Sequence, residues 1–502
     1  MKPQITKLLF SLLAVFTAVS CSEDFLEVKP VGTFLEDNYY RTEAEAFSGL
    51  VSVYDILSKQ SGGFENMITM MNAGSDDHFA GGGGAADGVG IQSFSNYTIT
   101  QVTIPASFWN NNYQGIFRAN ILIKKLPDVP MSNEKKIRFA AECKFLRAFY
   151  YFDLVRLFKN VPLFVAPVSP NDIANVTQAT PQAVYAQIEA DLRAAFADLP
   201  TTIATDEKGR MSKGMAQALL GKVLLYQGKN SQAATELAVV NGNPGGTSIY
   251  GYRLLGNFSD LWVPANKFNS ESIIEISHSS KSDSNFGNWG SGTDEGNTVN
   301  IMVGPRGYSR TGNSPAPDFV AGWSFNPITQ NLYDALLLDP RFNATIADVK
   351  RLKQLNQANY APGFQDTGYF LRKFMPRTSD VTTGGGEAAL NFKQNTYALR
   401  LADSYLLEAE ALGGTGARAQ ALLNAVRARV GLPSVNVSLA AIQAERRLEL
   451  AGEGHRWFDI VRTNRAATLL SNRGFVAGKN EILPIPFNEL QNTKLVQNPL
   501  YN

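Results

Sequence analysis

Apolar residues recur at helical spacing in two stretches of the chain, roughly 40–240 and 394–470, and lose that period in the stretch between. The strongest helix is predicted over 130–158. It opens at Ser132-Asn133-Glu134 and places Cys143, Leu146, Phe149, Tyr150, Leu154 and Leu157 on one side, with Phe145 and Phe152 on another. A helix apolar nearly all round packs between other elements rather than lying on a surface. Pro162 and Pro167 end it. A further amphipathic helix is predicted over 181–199. Gly221, Leu224, Gly228 and Ala233 recur 188 residues later as Ala409, Leu412, Gly416 and Ala421. Leu220 and Leu237 fit the same scheme. Small residues at the outer positions let two antiparallel helices approach, and the glycine between them makes the turn, as in tetratricopeptide-like hairpins. The two copies are not in tandem, so the expectation is a mainly α chain of helical hairpins forming one curved scaffold, not a continuous solenoid.

Residues 241–393 are rich in Gly, Asn, Ser, Pro and aromatic residues. Regular structure is predicted there only as a strand over 272–277 and a short helix around 329–338. The rest reads as long ordered loops draped on the helices, and loops held on a rigid scaffold are where binding residues concentrate. Three of the five tryptophans, Trp262, Trp289 and Trp323, fall in this region. A second candidate loop at 72–105 holds a glycine run at 81–84 with Phe94, Asn96 and Tyr97. Trp109 and Trp457, in strongly helical segments, read as packing residues.

The amino terminus changes the picture of where this body sits. Lys2 and Lys7 precede an apolar run at 8–19, too short for the roughly 20 residues a membrane span requires. Ala18-Val19-Ser20 then leads into Cys21, followed by Ser22-Glu23-Asp24. A cysteine directly after a cleavage point is the chemistry of a bacterial lipoprotein, whose thiol accepts a diacylglycerol. The chain therefore divides into a signal peptide at 1–20, an acylated leader at 21–40, a helical part at 41–240, the loop-rich part at 241–393 and a helical part at 394–502. With Cys21 acylated only Cys143 remains, so no intrachain disulfide is available. Lys plus Arg number 46 against 45 Asp plus Glu, a net charge of +1, which argues against a nucleic-acid partner.

Signatures of catalysis are absent: no nucleophile elbow, no zincin motif, no phosphate loop, and three histidines at spacings that suggest no metal trio. Cys143 lies inside the apolar helix and reads as core. Asp76-Asp77 and Asp294-Glu295 are loop carboxylate pairs that would serve a glycosidase only across a cleft. Side by side they read as solvated or as calcium ligands. No cofactor is expected, a structural calcium held this way excepted. Glu445, Glu449 and Glu453 share a helix face with Arg446 and Arg447 beside them. That stripe reads as a partly buried ion network, with a metal or acid-base site at Glu449, Glu453 and His455 as its alternative.

The loop aromatics carry the functional signal. Sugar rings offer apolar C–H faces and equatorial hydroxyls, so a glycan site pairs flat aromatic surfaces with a few polar side chains. Candidate ligand residues on this basis are Asp77, Phe94, Asn96, Tyr97, Trp289, Arg306, Tyr308 and Trp323. Several stretches together resemble the SusD/RagB family of outer-membrane nutrient-binding lipoproteins. They are Cys21-Ser22-Glu23-Asp24-Phe25-Leu26, Phe108-Trp109 through Tyr113, Ile116 and Ala119-Asn120, Phe145 through Leu154, Glu445-Arg446-Arg447 through Trp457-Phe458-Asp459, Leu483-Pro484-Ile485-Pro486 and Gln497-Asn498-Pro499 before Tyr501.

That resemblance implies a right-handed superhelix of tetratricopeptide-like hairpins with a loop-rich ligand face. It also implies a non-catalytic role: binding an oligosaccharide or polysaccharide, or in the alternative a peptide, for a SusC-like TonB-dependent transporter. A surface glycoside hydrolase is the third reading. The acidic run after Cys21 is implied to send the lipid-anchored protein to the outer surface of the cell outer membrane. A Cys21→Ala variant should bind ligand in titration as tightly as the parent and yet be lost from the cell surface in fractionation and accessibility assays. Normal surface retention of that variant would overturn the lipid anchor.

Overall fold

A computed structural model describes residues 39–287 and 295–501. Cys21, Trp289 and Asp294 lie outside the described residues. Ten helices carry the scaffold: α1 (Glu43–Ser58), α2 (Ser107–Lys125), α3 (Asn133–Phe158), α4 (Pro181–Asp198), α5 (Lys213–Tyr226), α6 (Asn230–Asn241), α7 (Leu401–Ala411), α8 (Gly416–Arg429), α9 (Leu439–Glu449) and α10 (Arg456–Arg462). Local chemistry starts them where the sequence signals predict. Thr42 caps α1 in a reciprocal box with Glu45, Ser132 caps α3, and Thr180 caps α4 with Pro181 at its first position.

Helix α3 is the central element. Seventeen of its 26 residues are buried, including Phe145, Tyr150, Tyr151 and Phe152, and it is wedged between α2 and α4. Cys143 is fully buried there and burial pushes its thiol pKa far up, which leaves it inert as a nucleophile. From α1 to α9 each helix packs on the one before it, and the series does not stop at residue 241. Helix α7 packs directly against α6 although some 160 residues separate them in sequence. Asn241 seals that junction by donating to the Ser404 carbonyl at 3.1 Å and to Glu408 at 2.8 Å. The two hairpin copies, apart in sequence, are thus neighbours in space within one scaffold, as expected, with the loop-rich stretch inserted between consecutive helices.

The predicted hairpin chemistry is visible in the first copy. A Cβ on Gly221 would lie 2.5 Å from Leu237 Cγ, so only glycine lets α5 and α6 approach this closely, and Gly228 turns between them at φ +73°. In the second copy Gly416 opens α8 and the turn falls to Gly413 and Gly414 instead.

Inside the insert, the predicted strand is β1 (Ser272–Ile276), paired antiparallel with β6 (Thr396–Arg400), the strand that leads into α7. Two further small antiparallel pairs join β2 (Arg306–Arg310) with β4 (Ala358–Ala361) and β3 (Ile346–Asp348) with β5 (Tyr369–Leu371). The predicted short helix spans Gln330–Leu336, capped by Thr329. A second apolar cluster, with Val299, Ile328, Leu332, Phe370 and Leu371, lies under these loops.

What fastens insert to scaffold is buried charge. Arg400, fully buried, donates to Glu271 at 2.9 Å, to Glu449 at 2.6 Å and to both carboxylate oxygens of Glu453. Arg341 bridges Glu445 at 2.6 Å and Glu449 at 2.9 Å, Lys373 reaches Glu453 at 2.7 Å, and Arg429 pairs with Glu271 and Glu449. The glutamate stripe is therefore an ion network, as expected, but its partners differ. Arg446 turns to Asp403 and Asp459, and Arg447 to Asp77. Side chains next to one another along a helix point to different faces, so the inward glutamates take cations from distant segments.

Burial alone would raise the carboxyl pKa values of Glu449 and Glu453; the surrounding Arg429, Arg400 and Arg341, and for Glu453 Arg400 and Lys373, hold both below the ordinary range. Depressed folded-state values mean a contribution complete above the ordinary carboxylate range and lost as pH falls through it toward those values. Arg400→Ala should lower stability by about 3–5 kcal/mol in urea unfolding, because it strands buried carboxylates. The same variant should also weaken the acid dependence of the unfolding midpoint; an unchanged midpoint would show the network to be dispensable.

Candidate functional site

The loop bearing the 81–84 glycine run lies against the segment that carries Trp323. Isolated bridges pair His78 with Ile328 and Gly81 with Phe325. Gly81 sits at φ +73° with its Cα so close to that segment that a Cβ would lie 2.2 Å from the Ser324 carbonyl oxygen. A Cβ on Gly83 would lie 2.8 Å from Arg306 Nη2. The run is therefore a close-packing device, and it brings three polar groups together. The Gly83 N–H donates to Asp87 at 2.7 Å, Arg306 Nη2 pairs with the same carboxylate oxygen at 3.1 Å, and both side chains stay about one-third exposed. The Arg306 N–H is held by Ser324 Oγ at 3.0 Å, and Arg306 Nε, shielded from solvent, has no hydrogen-bond acceptor among the described residues.

Beside this pair three aromatic rings form an arc. Phe64 and Trp323 have centroids 6.2 Å apart at 38°, and Trp323 and Phe286 are 6.4 Å apart at 33°. Phe325, buried, meets Phe64 edge-on at 5.3 Å and supports it from within. Phe286 is 59% exposed, so its ring presents apolar surface to solvent. Its loop is fixed at the base: the Ser284 carbonyl accepts from the Glu387 N–H at 2.8 Å and from Asn391 Nδ2 at 3.0 Å, and Ser279 N–H donates to the Glu295 carbonyl at 2.9 Å. Aromatic faces and an oriented, partly exposed ion pair are the equipment for gripping a polyhydroxylated ring without reacting with it.

Of the sequence candidates, Arg306 and Trp323 come together here and Trp289 lies outside the described residues. The others are corrected. Phe94 is buried against Trp457 at 5.4 Å, and Tyr97 is buried against Phe475 at 5.0 Å with its hydroxyl donating to the Gly74 carbonyl. Tyr308 is buried too, its hydroxyl on the Pro317 carbonyl at 2.6 Å. These rings face inward because their hydroxyls and edges satisfy core partners. Asp77 is an interior ion-pair anchor for Arg447 and Arg456. Its neighbour Asp76 takes both forks of Arg456 at 2.8 and 2.7 Å, and although burial would raise its pKa, Arg456 brings it below the ordinary value. The pair is thus spoken for by arginines. Asn96, unlike these, is exposed, at the end of the Val89–Ser95 helix. Trp109 and Trp457 are buried, as expected, and Trp262 packs beneath the insert with Lys373 Nζ 4.6 Å from its ring centroid.

Phe64, Phe286 and Asp87 were not among the sequence candidates. Phe286 sits in the same Asn, Ser and Gly-rich run that singled out Trp289, Phe64 follows the glycines at 62 and 63, and Asp87 trails the glycine run.

Comparison with known proteins bears on the fold and the family. The model of the SusD family matches residues 335–501, and a model described as starch-binding, associating with outer membrane, matches residues 24–225. A solved laminarin binding SusD-like protein is 62% identical, covers 92% of this chain and 100% of its own, and superposes with a TM-score of 0.91. The chain belongs to the SusD family. Surface glycan-binding protein A from Bacteroides thetaiotaomicron, solved in complex with laminarihexaose, is a more distant SusD-family relative at 25% identity, covering 91% of this chain and 99% of its own with a TM-score of 0.81. SusD-like protein P25 of Formosa agariphila is 24% identical across 97% of both chains. The mainly helical scaffold is thus the SusD scaffold, and its structural relatives are surface glycan-binding proteins. Among the described residues no helix is long and apolar enough to cross a membrane.

Removing the interior anchor tests the corrected role of Asp77. Asp77→Ala should cost about 3–5 kcal/mol of stability, since it leaves Arg447 and Arg456 short of a buried partner, while the folded variant keeps its ligand affinity. Urea unfolding together with titration of the folded protein separates the two; a large affinity loss at unchanged stability would restore Asp77 to the site.

Proposed function

We propose that this SusD-family chain binds a laminarin-type glucan at the cell surface, without hydrolysing it, and delivers it to a SusC-like TonB-dependent transporter while held to the outer membrane by a lipid on Cys21. The observation that carries the ligand class is the arc of Phe64, Trp323 and Phe286. Successive rings are inclined to one another by 38° and 33° and are not coplanar. A coiling glucan such as laminarin turns from sugar to sugar and can meet inclined rings, whereas a flat ribbon such as cellulose needs coplanar rings. The 62% identity to a laminarin binding SusD-like protein points the same way.

In this reading the rings take the apolar faces of consecutive sugars, and Asp87 with Arg306 takes hydroxyls through charge-assisted hydrogen bonds. Asp87 is already held by Gly83 and Arg306, so the nearby carboxyl is poised to accept hydroxyl protons in hydrogen bonds rather than to serve as one half of a hydrolytic pair. A ligand gripped but not cleaved suits a protein that passes intact chains to a transporter.

Calorimetric titration against laminarihexaose, maltohexaose, cellohexaose and a peptide panel tests the proposal. Laminarihexaose should bind and cellohexaose should bind far more weakly or not at all. Trp323→Ala should cost about 2 kcal/mol, roughly a thirty-fold loss of affinity, as expected for a central aromatic anchor. Silence on every glucan, with binding of a peptide instead, would overturn this reading, and appearance of shortened products would overturn the non-hydrolytic part.

A further inference from the structure

Away from the aromatic arc, the connection between α4 and α5 and the stretch leading into β1 enclose a groove of about 270 Å³. Its walls include Thr202, Ile203, Met215, Tyr250, Phe268 and Ser270. No carboxylate lines it; Lys208 stands exposed in its lining, and the guanidinium of Arg210 at its margin is taken up by Glu142 and Glu207. Apart from these two basic side chains the groove is aromatic on its walls and hydroxylated at its rim.

Both rings are held in place, Phe268 at a cost. Phe268 has φ +50°, a left-handed conformation that costs a side chain such as phenylalanine about 1–2 kcal/mol. Its N–H is clamped by both oxygens of Glu275 at 3.0 and 2.8 Å, and Glu275 is in turn held by Asn395 at 2.7 Å. The ring edge rests over Gly209, where a Cβ would come within 3.3 Å of it and where φ is +101°. Tyr250 lies flat on Gly214, where a Cβ would approach its ring to 2.8 Å, and its hydroxyl donates to Gln217 at 2.7 Å. Strain of this kind persists only where the surroundings enforce it, and it concentrates at ligand-gripping sites.

We propose that this groove is a second saccharide-contact site for a glucan, weaker than the aromatic arc. The inference rests on the glucan-binding reading given above. A hydroxyl-rimmed groove with fixed ring walls matches a sugar's apolar face and its hydroxyls, Lys208 adds a donor for those hydroxyls, and without a carboxylate the groove offers nothing to a metal ion. Its consequence is avidity: a polymer that meets both sites is retained longer than a hexasaccharide that meets one, with no change at either site.

Nuclear magnetic resonance of the whole protein, labelled in its methionine methyls and tryptophan indoles, reads the two sites separately. Met215 reports the groove and the Trp323 indole N–H reports the arc. With laminarihexaose the Trp323 signal should move first and Met215 at concentrations at least tenfold higher. In Trp323→Ala the Met215 response should persist, and in Thr202→Trp, a change on an exposed loop that fills the groove, it should vanish while Trp323 still responds. A silent Met215 at saturation of Trp323, a Met215 response lost in Trp323→Ala, or one that survives Thr202→Trp overturns the second site alone. Silence of both probes overturns the glucan-binding reading and this inference with it.

Discussion

Everything that the insert contributes depends on a set of charges buried where insert and scaffold meet. Arg341, Lys373, Arg400 and Arg429 stand against Glu271, Glu445, Glu449 and Glu453, four cations against four carboxylates, nearly all sealed from solvent. Each would be very costly alone, and together they satisfy one another through directed hydrogen bonds. Apolar packing is tolerant of small shifts, whereas a guanidinium between three carboxylates is not. The network therefore sets position as well as contributing cohesion. Glu271 and Arg400 are held at one end of the β1–β6 pair, so the strand that exits toward residues 278–287, and toward Phe286, starts from a fixed point.

The same logic of over-determination runs through the candidate site. Its rings and its ion pair sit on irregular backbone, yet that backbone is tied down by the glycine run pressed against Ser324 and Phe325, by Asn391 on Ser284, and by Ser324 on Arg306. Ligand binding then spends little on ordering the protein, which is how a shallow surface can hold a flexible polysaccharide.

The helical scaffold was legible because its signals are local. Capping residues and an apolar helix with its breaker prolines act within a few positions, and Gly221 faces Leu237 from the adjoining helix of the same hairpin. The resemblance in family motifs reached the same fold from the opposite direction. The site was only half legible. Trp323 and Arg306 were found by composition of the loops, but Phe94, Tyr97 and Tyr308 have the same chemistry and lie inside, because what separates a platform from a core ring is which loop covers it. The partners of the glutamate stripe were hidden for a related reason. Arg341 and Lys373 are 80 to 108 residues from the glutamates they neutralise, and no periodicity spans such a distance.

The direct packing of α7 on α6 means that the insert leaves and re-enters the scaffold at almost the same place. Closing a longer loop costs little, about 0.6 kcal/mol for each doubling of length. An excursion with adjoining ends can therefore lengthen, shorten or exchange its loops over evolutionary time while the helical stack goes on folding as before. Only the few residues that answer the buried glutamates are bound by that constraint. Such a chain can change its diet without changing its architecture.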